Sequence, residues 1–399
     1  MEEWKEYKIG DVCNTISDTY KNNAESVVLI NTSDVLEGKC LNHEKVPNKD
    51  LKGQFKKTFQ KNDILYSEIR PANKRFAYID FAPIDYIAST KLMVIRHNEK
   101  ILPQYLFYIL KSQTIIEELQ MLAESRSGTF PQITFSEVAN IEIKLPPIEQ
   151  QRRILGVLKS LDDKIEVNRK INENLEQQAQ ALFKSWFVDF EPFKNGEFVE
   201  SELGMIPKGW RVGMLSEIAD ITMGTSPSGT SYNTEGQGDV FYQGRAEFGF
   251  RFPQRNLYTT EAKRFAEVDS ILVSVRAPVG DINVAEERCC IGRGLASVKS
   301  KSNCDSYILY LMQSLKPVFD RFNGEGTVFG SINKKAFENI KIVIPTEKDV
   351  SVFNAIVNSM DGKIKNMEKE SRRLAELRDT LLPKLMSGEL KVNEIEDVL

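Results

Sequence analysis

The side chains best suited to chemistry in this sequence are lysines and arginines that cluster in two places. Residues 48 to 75 carry eight Lys or Arg against three acids. Residues 245 to 264 carry five more among aromatic side chains, namely Arg245, Arg251, Arg255, Lys263 and Arg264. Each cluster alone is typical of a solvated face. Their recurrence at comparable places in two halves of the chain favours contact with nucleic acid.

The residue type decides which part of a nucleic acid each side chain could contact. Lysine suits phosphate, whereas arginine and Asn or Gln can read base edges through paired hydrogen bonds. The candidates for phosphate contact are Lys56, Lys57, Lys74, Lys263 and Arg264. The candidates for base contact are Arg70, Asn73, Arg75, Arg245, Arg251, Arg255, Arg276 and Arg293. Because the net charge is −4, binding must depend on segregated charge rather than on overall basicity.

Motifs for catalysis or cofactor binding are absent from the sequence. There is no G-x-x-x-x-G-K-[ST] loop, and no Asn/Asp-Pro-Pro-aromatic tetrapeptide of the kind that positions an adenine amino group for methyl transfer. Gly224 to Gly229 resembles a phosphate loop, but Pro227 has no N–H to donate, so a turn is the better interpretation. The histidines and cysteines do not have the spacing of metal ligands, and the cysteines are expected to be reduced thiols. We therefore predict no catalytic residue, bound cofactor or metal.

Two long helices must position the basic clusters, because an apolar 4-3-4 spacing occurs twice with an offset of 199 residues. That spacing is typical of a coiled-coil seam, whose apolar positions return to one side of a helix and bury against a partner. The predicted seam residues are Ile154, Leu158, Leu161, Ile165, Leu175, Leu182, Phe353, Val357, Met360, Ile364, Leu374 and Leu381. A chain with two such helices can supply its own partner.

The repeat extends upstream of the helices. Residues 140–146 and 339–345 both read as a strand closed by proline, and the offset drifts to about 207 nearer the openings at Trp4 and Trp210. The sequence thus predicts two pseudo-symmetric mixed α/β domains of class α+β, in which loops differ in length while the scaffold repeats. The predicted segments are a first domain (1–147), a helix and linker (148–209), a second domain (210–346), and a helix and tail (347–399).

The length of the first helix sets the distance that it can span. Residues 148–187 form a rod of roughly 60 Å at ~1.5 Å per residue. An antiparallel pair would carry the two domains to opposite ends and bring Asn168 and Asn172 near Met367 and Ser371, where buried Asn can fix the register. A parallel pair would bring the domains together, and solvated asparagines are the alternative. Pro383 is expected to kink the second helix or end it early.

The composition sets the protein class. A chain of 399 residues with ordinary apolar content predicts a folded, soluble protein. No apolar run approaches the ~20 residues that span a bilayer, and the first residues are too charged for a secretory signal. We therefore expect a cytoplasmic protein without a membrane partner.

Several stretches resemble the specificity (S) subunits of type I restriction-modification systems. Residues 146–154 (PPIEQQRRI) with Leu161-Asp162-Asp163-Lys164-Ile165 are similar to the start of that family's spacer helix. Residues 180–190 (QALFKSWFVDF) and 377–390 (LRDTLLPKLMSGEL) resemble its central and C-terminal segments, and residues 204–210 (GMIPKGW) also fit. The resemblance covers the whole chain.

The resemblance implies a function as well as a fold. It implies two target-recognition domains, separated by an antiparallel coiled coil of two long helices, that each read half of a bipartite sequence in double-stranded DNA. Two modification (methyltransferase) subunits would methylate adenine N6 from S-adenosylmethionine, and restriction (endonuclease/translocase) subunits would use ATP and Mg. The chain itself would be non-catalytic. Recognition surfaces vary in the family, so no base-reading residue is carried over.

Other functions stay open at this point. A freestanding bipartite DNA-binding regulator is the main alternative, and it would bind specifically without any partner. A self-contained methyltransferase is disfavoured by the missing tetrapeptide, and a pure coiled-coil scaffold would leave two globular domains without a purpose. The outward faces of the coil, including Trp186 and Phe187, are expected to bind the modification subunits. Alternatively, these two residues cap the core of the coil.

Overall fold

A computed structural model of the chain describes residues 4–49, 51, 53–125, 131–324 and 330–396. Asp50 and Lys52, which belong to the first basic cluster, lie outside the described residues. The chain divides into two compact units. Unit 1 comprises Met1–Glu166 and Ser371–Leu399, and unit 2 comprises Val167–Glu370.

The first half of the chain consists of short strands, three short helices and one long helix. The strands are β1 (Lys5–Lys8), β2 (Cys13–Ile16), β3 (Ser26–Ile30), β4 (Val35–Leu36), β5 (Lys39–Cys40), β6 (Lys45–Pro47), β7 (Phe55–Lys57), β8 (Ile64–Ser67), β9 (Phe76–Tyr78), β10 (Tyr86–Ser89), β11 (Leu92–His97) and β12 (Glu142–Leu145). The helices are α1 (Pro103–Leu110), α2 (Gln113–Ser125), α3 (Phe135–Asn140) and α4 (Ile148–Phe187). Helix α1 begins at Pro103, whose fixed φ suits the first helical turn.

The second half repeats this order after a two-stranded hairpin in the linker. The strands are β13 (Phe198–Ser201), β14 (Gly204–Pro207), β15 (Arg211–Met214), β16 (Ala219–Met223), β17 (Tyr232–Asn233), β18 (Asp239–Tyr242), β19 (Tyr258–Thr259), β20 (Phe265–Ala266), β21 (Ile271–Ser274), β22 (Ile282–Val284), β23 (Cys289–Ile291), β24 (Leu295–Ser300) and β25 (Lys341–Ile344). The helices are α5 (Leu215–Ile218), α6 (Asp305–Ser314), α7 (Lys316–Gly324), α8 (Lys334–Glu338), α9 (Glu347–Ser387) and α10 (Asn393–Glu396).

The two units have matching sheets. Unit 1 contains a four-stranded sheet of order β2-β11-β8-β9, and unit 2 contains one of order β16-β24-β21-β22. A second sheet in each unit is built around a parallel pair, β3 with β10 and β18 with β23. The buried runs Ile64–Ser67 and Ile271–Ser274 form the third strand of each first sheet, because β-branched and aromatic residues suit a strand covered on both faces.

Backbone hydrogen bonds repeat as well. Ile9 N donates to Ile141 O over 2.9 Å, and Leu215 N donates to Ile340 O over 2.9 Å. These bonds lie beside the equivalent strand pairs β1–β12 and β15–β25. The predicted α+β class with two pseudo-symmetric mixed units is therefore confirmed down to single hydrogen bonds.

Each unit contains an antiparallel pair made from one half of α4 and one half of α9. In unit 1, Ile154 and Leu158 share a core cluster with Leu382 and Leu385. In unit 2, Phe183 and Phe187 contact Phe353 with ring centroids 5.7 and 5.0 Å apart. Residue numbers rise along one helix as they fall along the other. The helices therefore run antiparallel in both units.

The twelve predicted seam residues are all buried or half-buried. Asn168 and Asn172 are also buried, at 0% and 1% exposure, so the alternative of solvated asparagines is wrong. Asn168 Nδ2 donates to Glu370 Oε2 over 2.7 Å, and Asn172 Nδ2 donates to Glu368 Oε1 over 2.9 Å. Burying these amides makes other registers unfavourable, because a shifted helix would leave them without a partner.

The structure decides between the two alternatives for Trp186 and Phe187. Phe187 is only 8% exposed and packs on Trp210, Tyr307 and Phe353, while Trp186 is half-buried against Phe353. Both residues therefore pack on the core of unit 2, which agrees with the capping alternative. Pro383 does not end α9, which continues to Ser387, so early termination is wrong and the kink stays a prediction. Among the described residues, no helix has the length and apolar character needed to span a bilayer.

A buried Tyr–Asp hydrogen bond fixes the long helix of unit 1. The Tyr108 hydroxyl donates to Asp162, whose carboxylate also pairs with Lys111 (3.2 Å) and Arg378 (2.6 Å). Burial alone would raise the pKa of Asp162, but the Lys111 ammonium and the two hydrogen-bond donors outweigh it and lower that pKa. Burial lowers the pKa of Lys111. The lowered pKa of the Asp162 carboxyl therefore depends on Tyr108, Lys111 and Arg378 together.

Unit 2 repeats the Tyr–Asp bond with different partners. The Tyr310 hydroxyl donates to Asp361 over 2.8 Å. Here the cation is Arg251, which pairs with Asp361 over 2.8 Å and also with Glu176 on α4. Arg251 is 5% exposed. It joins the domain core to both long helices.

Candidate nucleic-acid interface

The β8–β9 hairpin loop of unit 1 carries four of the predicted contact residues. Arg70 and Lys74 both have left-handed backbones, with φ of 46° and 52°, so the turn holds the loop in one shape. Arg70 and Asn73 are exposed. Lys74 forms a 3.9 Å ion pair with Glu37, and Arg75 donates to the Ser33 carbonyl over 3.1 Å. Arg70 and Asn73 are thus the outermost members of this loop.

The two lysines of β7 have different environments. Lys56 is exposed and remains a candidate for phosphate contact. Lys57 is half-buried, and its ammonium donates to the backbone carbonyls of Thr90 (3.1 Å) and Leu92 (2.8 Å). Burial lowers its pKa. Because those carbonyls hold its ammonium in the sheet, Lys57 is not available to a phosphate.

Arg251 is buried and is not available for base contact. It was a candidate for base contact, yet its guanidinium is buried between Glu176 and Asp361 and donates to the Tyr310 hydroxyl over 3.0 Å. A buried, fully paired guanidinium cannot reach a DNA groove without breaking these bonds. The prediction for Arg251 is therefore wrong, and its role is structural.

The remaining residues of the second basic cluster are exposed. Arg245 forms an ion pair with Asp281, and Arg255 pairs with Glu287 over 2.7 Å. Lys263 and Arg264 lie on the segment before β20 and make no ion pair with any residue in the described ranges. Lys263 and Arg264 are therefore the members of this cluster whose charge is not already balanced.

Arg276 and Arg293 lie at the end of the first sheet of unit 2. The last pair in the β21–β24 ladder is Ser274 with Leu295, and Val275 N then donates to Gly294 O over 2.9 Å. Arg276 follows Val275, and Arg293 precedes Gly294 in the turn that Leu295 N closes by donating to Gly292 O over 3.0 Å. Both side chains are exposed and line one cleft of about 420 Å³. Ser331, which forms a backbone bridge with Arg276, lines the same cleft.

The matching row in unit 1 has a different composition. Glu68 N donates to Lys91 O over 3.0 Å, the counterpart of the Val275–Gly294 bond, and Ile69 forms a backbone bridge with Gln132. The row Arg293–Arg276–Ser331 of unit 2 therefore corresponds to the row Thr90–Ile69–Gln132 of unit 1. Sequence reasoning missed Gln132 and Ser331, although the offset of 199 relates them.

Comparison with known proteins identifies the family. The model for the type I restriction modification DNA specificity domain matches residues 1–177 and 207–375. The chain belongs to the type I restriction-modification specificity (S) subunit family. The type I restriction enzyme HindI specificity subunit of Haemophilus influenzae is 34% identical to it, over 98% of this chain and 100% of the relative.

Further relatives agree with this assignment. The putative type I restriction enzyme MjaX specificity subunit of Methanocaldococcus jannaschii is 34% identical, over 83% of this chain and 79% of the relative. The crystal structure of a type I restriction-modification system S subunit from M. genitalium matches with a TM-score of 0.56 at 18% identity, over 96% of each chain. That structure supports the S-subunit fold. The family model thus matches the chain twice, once in each half.

Proposed function

We propose that this S subunit reads a bipartite target in double-stranded DNA, with each unit binding one half-site. The observation that carries the proposal is the duplicated sheet with exposed cationic side chains at its end. Arg70 and Asn73 lie on the hairpin loop of unit 1, and Arg276 and Arg293 lie at the corresponding end in unit 2. Exposed arginine can bond both phosphate and base edges.

In this proposal the chain determines which DNA sequence is bound, and partner subunits catalyse the reactions. Two modification subunits would bring S-adenosylmethionine and methylate adenine N6 in the target. Restriction subunits would bring ATP and Mg and cleave the DNA. This division agrees with a sequence that has neither a nucleotide loop nor the methyl-transfer tetrapeptide.

Co-expression tests the proposal directly. The chain and the modification subunit encoded beside it would be produced in a methylation-free host, and N6-methyladenine would be mapped by single-molecule sequencing. We expect methylation confined to one bipartite motif and lost when either protein is omitted. If both proteins are soluble and no motif is modified, a freestanding DNA-binding regulator becomes the better account.

A further inference from the structure

Two exposed arginines of unit 2 line one cleft without a carboxylate partner. Arg276 and Arg293 both line it, and neither guanidinium forms an ion pair within the part of the chain that the structure describes. By contrast, Arg245, Arg251 and Arg255 in the same unit are all paired with carboxylates. A ligand rich in acceptor atoms would neutralise the charge of Arg276 and Arg293.

The cleft also offers other groups suited to a base edge. Ser331, exposed beside Arg276, and the exposed Asn333 line it together with the glycine backbone at Gly224 and Gly330. A Cβ added to Gly224 would lie 2.2 Å from the Gly292 carbonyl oxygen, so the chain is closely packed behind the cleft. The arginines therefore extend from a firmly held sheet end rather than from a long loop.

We propose that this row of residues is the base-reading element of both units, and that Arg276 and Arg293 read guanine in the half-site bound by unit 2. The proposal rests on the proposed function and names the base chemistry of the same site. Guanine presents two acceptors, N7 and O6, to the major groove, and a guanidinium can donate to both at once. Two arginines that line one cleft suit one guanine each or a guanine and its flanking phosphate.

The corresponding row of unit 1 reads a different base. Thr90, Ile69 and Gln132 bring no positive charge to these positions. The amide of Gln132 can bond adenine N6 and N7, and the Ile69 side chain suits the thymine methyl group. The two half-sites therefore differ, with a G·C pair essential in one and an A·T pair favoured in the other at the equivalent position.

Arginine could instead serve only as a phosphate contact, and the two roles give different results. A lost base contact relaxes the sequence requirement at one position, whereas a lost phosphate contact weakens binding to all sequences alike and reduces its salt dependence. The measurement must therefore report the methylated sequence as well as the rate.

The test uses the full chain co-expressed with its modification subunit. Arg276→Ala and Arg293→Ala would each be compared with wild type by single-molecule sequencing of N6-methyladenine. We expect discrimination at one G·C position in one half-site to fall by about 5- to 150-fold, with the other half-site unchanged. Arg211→Ala, an exposed arginine of the same unit paired with Glu217 on the surface, is the matched control and should keep the wild-type motif.

The outcomes separate this inference from the proposed function. A wild-type complex that methylates no motif would remove the proposed function itself. If both arginine variants methylate the wild-type motif, Arg276 and Arg293 do not read bases. The same conclusion follows if both variants methylate all sequences more slowly without relaxing the requirement at any base. Thermal melting of each variant shows that an exposed side chain was removed without unfolding.

Discussion

The two Tyr–Asp clusters show the same scaffold stabilised by different charges. In unit 1, Asp162 takes its cations from Lys111 on the loop after α1 and from Arg378 on α9. In unit 2, Gln313 stands at the position of Lys111 and donates to Glu176 over 2.7 Å. The cation there comes from Arg251, on a loop of the domain itself. The tyrosine and aspartate recur, whereas the groups that neutralise the aspartate do not.

The surface ion pairs of the hairpin loops also differ between the units. In unit 1 the loop residue Lys74 pairs with Glu37. In unit 2 the loop residue Asp281 pairs with Arg245. Asp281 is the counterpart of Arg75, because Ser274 N donates to the Asp281 carbonyl as Ser67 N donates to the Arg75 carbonyl. Charge at this end of the sheet therefore differs between the units although the backbone arrangement is the same.

Removing the buried cation of unit 2 should have the largest effect on stability. Arg251→Ala leaves the carboxylates of Glu176 and Asp361, only 13% and 16% exposed, without their shared cation. Breaking a buried pair in this way lowers the free energy of unfolding by about 3 to 5 kcal/mol. Urea denaturation measures the loss, and Arg264→Ala, which removes an exposed arginine that makes no ion pair within the described residues, is the control. Equal, small losses of stability in Arg251→Ala and in the control would mean that Arg251 does not hold the domain core of unit 2 to α4 and α9.

The tyrosine hydroxyls should have similar effects in both units. Tyr108→Phe and Tyr310→Phe each remove a hydrogen bond to a carboxylate, which is expected to lower the free energy of unfolding by about 1.5 to 3 kcal/mol. Tyr66→Phe is a matched control, because its buried hydroxyl has no hydrogen-bond partner among the described residues. Chemical denaturation of all three variants should leave Tyr66→Phe at or above wild-type stability. A loss in Tyr66→Phe as large as in the others would contradict this assignment.

The charge of Asp162 should make unit 1 sensitive to pH. Its pKa is lowered because Lys111, Tyr108 and Arg378 together outweigh the effect of burial. A carboxyl with a lowered folded-state pKa stabilises the protein above its unfolded value of about 3.9 and loses that contribution as the pH falls toward its folded value.

Asp162→Asn measures this contribution. The variant should be less stable than wild type by about 1 kcal/mol at pH 7, because charge-assisted hydrogen bonds become neutral ones. The difference should shrink below about pH 4. Denaturation of both proteins from pH 3 to 8 follows it. A difference that stays constant through this range would show that the carboxylate charge is not what matters.

The surface ion pairs of the hairpin loops should have the smallest effect. Glu37→Gln in unit 1 removes the pair with Lys74, and Asp281→Asn in unit 2 removes the pairs with Arg245 and Lys316. Each variant should change the free energy of unfolding by less than about 1 kcal/mol. The change should diminish further in 1 M salt, because exposed charges are screened. A loss of several kcal/mol in either variant would show that the pair is part of the fold's core support.

The sequence predicted the parts of the fold that depend on local pattern. Apolar spacing located α4 and α9, and the offset of 199 residues related strands that do pair equivalently. It could not predict that Arg251 is buried, because its partners Glu176 and Asp361 lie 75 and 110 residues away in the chain. The phosphate-contact prediction for Lys57 failed for the same reason. Its ammonium donates to the carbonyls of Thr90 and Leu92, which lie 33 and 35 residues away in the chain.

The site could be predicted only in part. Arg70, Asn73, Arg276 and Arg293 are exposed at the sheet ends as a base-contact role requires. The sequence did not show that Arg276 and Arg293 line one cleft, because that depends on how the end of β21 meets the turn before β24. The unit 1 row was missed because Gln132 is not basic, whereas all the predicted contact residues except Asn73 are Lys or Arg.

The most direct test of the account compares one variant in each unit. The methylated motifs of Arg276→Ala and Gln132→Ala would be determined in the same host with the same modification subunit. We predict that the two variants relax opposite halves of one bipartite motif, a G·C position for Arg276→Ala and an A·T position for Gln132→Ala. If both variants change the same half, or if neither changes the motif, the two units do not read separate half-sites through these rows.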